Sequence, residues 1–381
     1  MGAFIMRNYL MLSLLLLAAS HAFAQVTPAT DSTLAVPPTA APEATPPNPL
    51  SFYGYVDGYY GYDFKHADTQ KRPGFLYSHN RQNEFTINNG IVGLRYQDEK
   101  VRGAFGLHAG SYVEANYAAE PQVFKHIYEA YAGFRPFEKA WLDVGIFGSH
   151  IGFESAISKD NWTLTRSLAA ENSPYYETGA RFTYEVDPKL TLTGLVLNGW
   201  QNIQETNQSK AVGTQIQWKP TEKLLFNSST FYGNEQPQGV ARRRRYFHDF
   251  YASYAATDRL SVVGVFDVGK QARANRSKTD TWHTGAALLR YKLAEKWAVA
   301  GRAEYYYAEH GVIISSITPA DSDEDFKVKS FSLNLDYLPV SKVACRVEGR
   351  IFHSPKNFLL DRNGQPTDNY GNVTSSIAIS F

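Results

Sequence analysis

The sequence predicts an all-β chain, a transmembrane antiparallel up-and-down β-barrel of about 16 strands with short periplasmic turns and long outer loops. Three observations carry this. From Ser51 to Phe381, segment after segment alternates apolar and polar residues, the period of a strand with one greasy and one wet face. Short turns and long polar connections follow one another along the chain. Aromatics gather near the turns; 23 Phe, 25 Tyr and 6 Trp make up 14% of 381 residues, although the mean hydropathy is polar.

Composition removes several alternatives. Lys and Arg number 38 against 37 Asp and Glu, a formal net charge of +1, without the basic excess of a nucleic-acid binder. After the N-terminus no apolar run reaches the roughly 20 residues of a membrane helix. Cys345 is the only cysteine, so no disulfide scaffold exists.

Residues 1–24 read as a signal peptide: Arg7, an apolar run from Tyr9 to Ala19, then Ala22-Phe23-Ala24 as the cleavage pattern. Residues 25–50 form a Pro/Ala/Thr-rich tract, expected to be a flexible periplasmic tail because it lacks apolar surface to pack. Residues 51–381 are left for the barrel.

Within them one hairpin unit repeats. A basic residue after an acidic, polar or Pro residue marks each short turn: Lys100, Lys139, Lys189, Lys223, Arg259, Lys296 and Lys342. An aromatic stands four or five positions before each: Tyr96, Phe134, Tyr184, Trp218, Tyr254, Tyr291 and Tyr337. Longer polar connections fall at about 65–82, 114–124, 151–173, 200–210, 234–243, 271–280, 310–325 and 354–371. Seven short and eight long connections define 16 strands, the last ending at Phe381. Each strand with its connection has about 21 residues, against roughly 9–11 needed to cross a membrane.

A soluble β-sandwich would also alternate. It does not account for the regular short–long asymmetry or for aromatics at strand ends, both of which an outer-membrane barrel requires. A bilayer forbids open strand edges, so the sheet must close.

The run from Ser149 to Ser167 (SHIGFESA through SKDNWTLTRS) resembles a signature of the OmpL-like β-barrel porin-2 family. Glu171–Glu177, Val196–Gln201, Tyr117–Pro121 and Ser332–Tyr337 are similar to that family too. The resemblance covers nearly all of 51–381. It implies an outer-membrane barrel with porin activity, a passive channel for ions and small hydrophilic solutes, and names no solute. A 16-stranded barrel is wide enough for an aqueous lumen.

Alternation assigns charged residues to that lumen, since on the lipid face each would cost roughly 2–4 kcal/mol near the midplane. The acidic set is Asp57, Glu129, Glu177, Glu185, Asp249, Asp267, Glu304, Asp336 and Glu348. The basic set is Arg102, Arg135, Arg181, Arg290, Arg302, Arg346 and Arg350. Arg290, Arg302, Arg346 and Arg350 fall on strands 12, 13 and 15; Glu177, Glu185, Asp249 and Asp267 on strands 6, 10 and 11. Two arrangements fit: opposed walls setting a transverse field, or ladders of neighbouring salt bridges. The longest loop, 151–173, is the third of the outer loops. Trp162, Leu164 and Leu168 make it more apolar than a solvated loop needs to be. By analogy with general porins it is expected to fold inward, with Glu154, Lys159, Asp160, Trp162, Arg166 and Glu171 at a constriction, the alternative being a loop packed on the outer rim.

Other features suggest partners rather than chemistry. Arg242, Arg243, Arg244 and Arg245 could meet lipopolysaccharide phosphates, or form a solvated rim. The C-terminal Phe381 is read as a signal to the outer-membrane barrel assembly machinery, and several copies could associate. No cofactor or metal site is expected: Asp321, Asp323, Glu324 and Asp325 lack the turn glycine and distal Glu of a calcium loop. No enzyme is expected either, because the neighbours His248-Asp249 and Ser149-His150 would point to opposite faces of a strand. The rival functional reading is a non-conducting structural or adhesive barrel acting through its outer loops.

Overall fold

The computed structural model describes residues 48–64, 70–273, 278–314, 324–356, 359–361, 363 and 365–381. The expected signal peptide and nearly all of the 25–50 tail lie outside them. The described residues form a closed antiparallel barrel of 16 strands.

In chain order these are β1 (Leu50–Asp63), β2 (Phe85–Gln97), β3 (Val101–Ala109), β4 (Ile127–Phe134), β5 (Ala140–Gly148), β6 (Tyr176–Asp187), β7 (Leu190–Leu197) and β8 (Ala211–Thr221). There follow β9 (Leu224–Asn234), β10 (Arg244–Ala255), β11 (Leu260–Ala272), β12 (Thr279–Ala294), β13 (Trp297–Ala308), β14 (Phe326–Val340), β15 (Val343–His353) and β16 (Asn369–Ser380). Each strand pairs with its sequence neighbours, and β1 pairs with β16 from Tyr55↔Ser380 to Asp63↔Asn372. Short turns and long loops fall where the repeat puts them.

Closure is sealed at the last residue. The Phe381 amide donates to Gly54 O at 3.0 Å, and the Gly54 amide donates back to Phe381 O at 2.8 Å. The Phe381 ring lies over Gly54 where a Cβ would stand, so a larger residue there would have to displace the ring. The ring also stacks on Phe52, centroids 6.3 Å apart.

The alternation appears as two faces. Outward residues such as Phe105, Phe331, Leu333, Ile351 and Ile377 are more than half exposed, while Ser332 and Asn334 between them are fully buried. Of the aromatics entering the short turns, Tyr96, Phe134, Trp218, Tyr254 and Tyr291 are exposed on the outer face. They form a belt at the level where a bilayer meets water.

Inside, the main apolar cluster joins the outer ends of strands from β5 round to β16 with residues of the long loops. Phe147, Leu197, Phe231, Phe247, Trp282 and Phe326 come from strands, Phe75 and Leu168 from loops. Two short helices also sit on long connections, α1 (Ser111–Asn116) and α2 (Leu168–Glu171).

Candidate functional site: a loop docked inside the barrel

Residues 149–175 connect β5 to β6 and run down the inner wall. His150 opens the path, with Nδ1 2.9 Å from Glu177 Oε2 and Nε2 2.8 Å from the Thr230 carbonyl. Both nitrogens face acceptors, so the ring is held as a double donor. Burial alone would lower its pKa, but the Glu177 charge and these bonds outweigh it and leave it raised. Gly152 then donates to Asp249 Oδ1 at 3.2 Å. Phe153 packs on Trp162 and Tyr251 above an apolar floor of Leu225, Val263, Leu288 and Ala300.

The tip is a single helical turn, Ser158–Asp160. Arg346 donates to Ser158 O at 2.5 Å and Asn161 O at 2.9 Å. Lys159 Nζ reaches Ser341 O at 3.3 Å, in the short turn between β14 and β15. The loop therefore spans the barrel's depth, from outer strand ends to a periplasmic turn.

Its return arm lies on β12–β15. Arg302 donates to Thr163 Oγ1 and Thr165 O, each at 2.6 Å. Glu348 accepts the Thr165 amide at 2.5 Å, Asn334 the Leu164 amide at 3.1 Å and Glu304 the Leu168 amide at 2.6 Å. Arg350 donates to Arg166 O at 2.9 Å. Ser167 caps α2 by accepting the Ala170 amide. Extended loop backbone leaves amides and carbonyls unpaired, and the lumenal side chains satisfy them.

The first outer connection also turns inward. Arg72 is buried, donating to Asp63 Oδ1 at 3.0 Å and Thr374 Oγ1 at 2.9 Å. Phe75 is fully buried against Phe326 and Phe352. His79 Nε2 sits 2.9 Å from Asp57 Oδ2. This segment rests on the longer loop, because Glu171 accepts the Tyr77 and Ser78 amides at 2.8 and 3.2 Å. Burial pushes the Glu171 carboxyl up, opposed by Arg166 and those amides.

This packing corrects part of the reading of lumen charge. Arg302, Arg346 and Arg350 face inward but are covered by the loop, no more than 2% exposed. They do not form an open wall with a field across the lumen. Arg302 contacts Glu154, Glu304 and Glu348; Arg350 contacts Glu304; Arg346 and Arg290 both contact Asp336. Four arginines thus meet four carboxylates, the ladder alternative. On the other wall Glu177, Asp249 and Asp267 are also buried, with Asp249 directly opposite Asp267 across the β10–β11 ladder. Asp57 is covered by the first loop. Glu185, on β6, is half-buried. Arg135 is not on a strand: β4 ends at Phe134, and Arg135 is exposed in the turn with its guanidinium 4.6 Å from the Trp141 ring. Of the loop residues, Trp162, Arg166 and Glu171 are buried, and Asp160 is exposed.

On the opposite side lies a cavity of about 500 Å³ between the loop and strands β2–β6. Arg95, Glu129, Tyr131 and Arg181 line it from the wall, and Glu154, Arg166 and Tyr175 from the loop. Arg95 is half exposed and pairs with Glu129 at 3.0 Å; the Tyr53 hydroxyl also donates to Glu129 at 2.5 Å. Asp143 is fully buried and takes Arg102 at 2.6 Å and Arg181 at 2.9 Å. Arg95 and Asp143 were absent from the sequence-derived set, although Leu94 and Tyr96, or Leu142 and Val144, flank each as outward neighbours. The same alternation would have found them. The tyrosines of α1 and its loop carry no such signal.

A closed 16-stranded barrel with an outward apolar face, an aromatic belt and a charged interior is an integral outer-membrane channel fold. Residues 49–381 match the model of one such family, Putative beta-barrel porin-2, OmpL-like, and the chain belongs to it. It is an outer-membrane porin. A search of curated proteins finds no match. Among solved structures, the chain is similar to the outer membrane channel DcaP of Acinetobacter baumannii, with TM-score 0.59, 11% identity, and 87% of this chain and 97% of that one covered. An anion-selective porin from Comamonas acidovorans gives TM-score 0.56, 10% identity, and 87% and 99% coverage. The trimer form of OmpT from Vibrio cholerae gives TM-score 0.58, 9% identity, and 87% and 99% coverage. At these identities the likeness is one of fold.

Proposed function

We propose that the chain is a passive diffusion channel for ions and small hydrophilic solutes, with its narrowest passage between the docked loop and the β2–β6 wall. The carrying observation is the one-sided docking. The loop is bound to β12–β15 by paired charges and leaves a charged cavity across from them. The charged residues lining that cavity are Arg95, Arg166 and Arg181 against Glu129 and Glu154, one positive charge in excess. Surplus positive charge in a narrow, low-dielectric passage favours anions. Planar-bilayer recording tests this: stable single-channel currents with a reversal potential displaced toward the anion are expected. Protein inserted in the bilayer without unit currents would overturn it.

The apolar core joining loops to outer strand ends favours a second reading, a plugged barrel acting through its loops, and absence of current would support that one. Catalysis forms no part of the proposal. Ser149 Oγ and the His150 ring both turn to the Glu177 carboxylate. Ser228 Oγ and His248 Nε2 do meet, at 2.8 Å on the outer face. The surrounding amides are committed to the β8–β11 ladders, so none is free to hold an oxyanion. Arg245 drops out of the basic run, since its side chain turns inward beside Glu235 at 3.9 Å and over the Trp200 ring. Arg242–Arg244 at the rim as a lipopolysaccharide contact, Phe381 as an assembly signal and association of several copies complete the proposal.

A further inference from the structure

Arg166 is the anomaly of the lumen. It is 4% exposed, yet Nε and Nη1 have no hydrogen-bond partner, and Nη2 reaches only Ala170 O, at 3.5 Å. Its guanidinium carbon lies 3.4 Å from the Tyr175 ring centroid. The other arginines at this level are engaged by carboxylates: Arg95 by Glu129, Arg181 by Asp143, Arg302 and Arg350 by Glu304. Among the described residues no carboxylate lies in ion-pair contact with Arg166. Glu171 is nearby, but its oxygens are taken by the Tyr77 and Ser78 amides and the Tyr175 hydroxyl. A buried cation with open donors is costly unless something fills them.

Arg166 lines the 500 Å³ cavity, a volume within the range of small-molecule sites. Resting on the channel reading above, we propose that Arg166 and the rings around it form a docking subsite for a small organic carboxylate passing through the porin. The guanidinium supplies the charge-assisted hydrogen bonds, while Tyr112, Tyr128 and Tyr175 present aromatic walls to the carbon skeleton. These rings select against a strongly hydrated inorganic anion, which would have to shed water to enter. Arg181 and Arg95, each already paired, set the approach potential rather than the contact.

The test uses the full mature protein in planar bilayers in potassium chloride, probed with benzoate, its neutral isostere benzamide, and inorganic phosphate. Benzoate is expected to reduce the open-channel current in a saturable way, with benzamide and phosphate inert at equal concentration. In Arg166→Gln the half-blocking benzoate concentration should rise at least about tenfold, the loss of a charge-assisted bond. Equal block by benzamide, equal block by phosphate, or undiminished block in the variant would each overturn the subsite. The benzoate–benzamide comparison needs only the wild-type chain, so it holds if Arg166→Gln does not assemble. If the wild type passes no current, the channel reading fails instead. Benzoate binding to the detergent-solubilised protein, by calorimetry, then decides the subsite by itself: saturable binding absent with benzamide supports it, and no binding overturns it.

Discussion

Arg302→Gln tests whether the charge ladder holds the loop. Arg302 is 1% exposed and lies 3.2 Å from Glu348, 3.3 Å from Glu304 and 3.6 Å from Glu154. It also donates two 2.6 Å bonds to the loop. Removing one partner of a buried ion pair costs about 3–5 kcal/mol, because the remaining charge stays buried without its counterion. Here three carboxylates lose a neighbour at once. Glu304 keeps Arg350 and Glu348 keeps the Thr165 amide, so the lower end of that range is the fitting estimate. About 3 kcal/mol shifts the docked-to-released ratio by roughly two powers of ten. Arg346 and Arg350 still grip the loop, so the expected state is intermittent release rather than an empty lumen. In single-channel recording the open current should flicker, and an added protease should nick residues 153–168 faster than in the wild type. The barrel should keep its heat-modifiable mobility on gels, since the β12–β13–β14 ladders are backbone-made. A quiet current with a wild-type protease pattern would refute the anchoring role.

Three further outcomes follow from the same geometry. Asp143→Asn leaves Arg102 and Arg181 without their shared carboxylate; the reversal potential should move further toward the anion, and an unmoved value would place the passage elsewhere. His150 has a raised pKa in the fold, so its anchoring contribution is full below the unfolded value near 6.5 and is lost as pH rises through the folded value; loop proteolysis should therefore increase on the alkaline side, and His150→Gln should flatten that dependence. Leu333→Lys puts a charge on a residue 56% exposed on the outer face, and refolding into lipid vesicles followed by urea titration should show a loss of about 2–4 kcal/mol if it sits near the bilayer midplane; no loss would mean that this face does not meet lipid.

The barrel was legible because its causes are local. A period of two, a basic residue in each short turn and an aromatic before it recur within single hairpins, and closure then follows from the bilayer's intolerance of open edges. Arg135 was misplaced because alternation holds only while the strand lasts, and β4 stops one residue before it. The inward course of 70–84 left almost no trace. Its anchors, Asp63 for Arg72 and Asp57 for His79, are lumen residues whose partners stand at separations of 9 and 22 with no fixed period. Phe75 and Leu76 in a polar loop were the available hint, since a fully solvated loop has no use for large apolar side chains. Trp162, Leu164 and Leu168 gave the same hint for the longer loop, and there the inward reading was made.

The fate of the lumen charges shows where local reading stops. Alternation put Arg302 and Glu304 on one face of one strand, and antiparallel register put Asp336 beside Arg346, so both an open field and a ladder were consistent with the sequence. Water decides between them. An exposed arginine wall is solvated and free to act across the lumen, whereas one roofed by a loop must be neutralised nearby or bear a large desolvation cost. The loop roofs β12–β15, and there four arginines have found four carboxylates. The unroofed wall carries the half-exposed Arg95 and an Asp143 shared between two arginines. The near-zero net charge of the chain therefore resolves into a neutral, structural side and a positively biased, open side. On the channel reading proposed above, selectivity belongs to the second, and Arg166, carried by the loop but lining the cavity, is where the two meet.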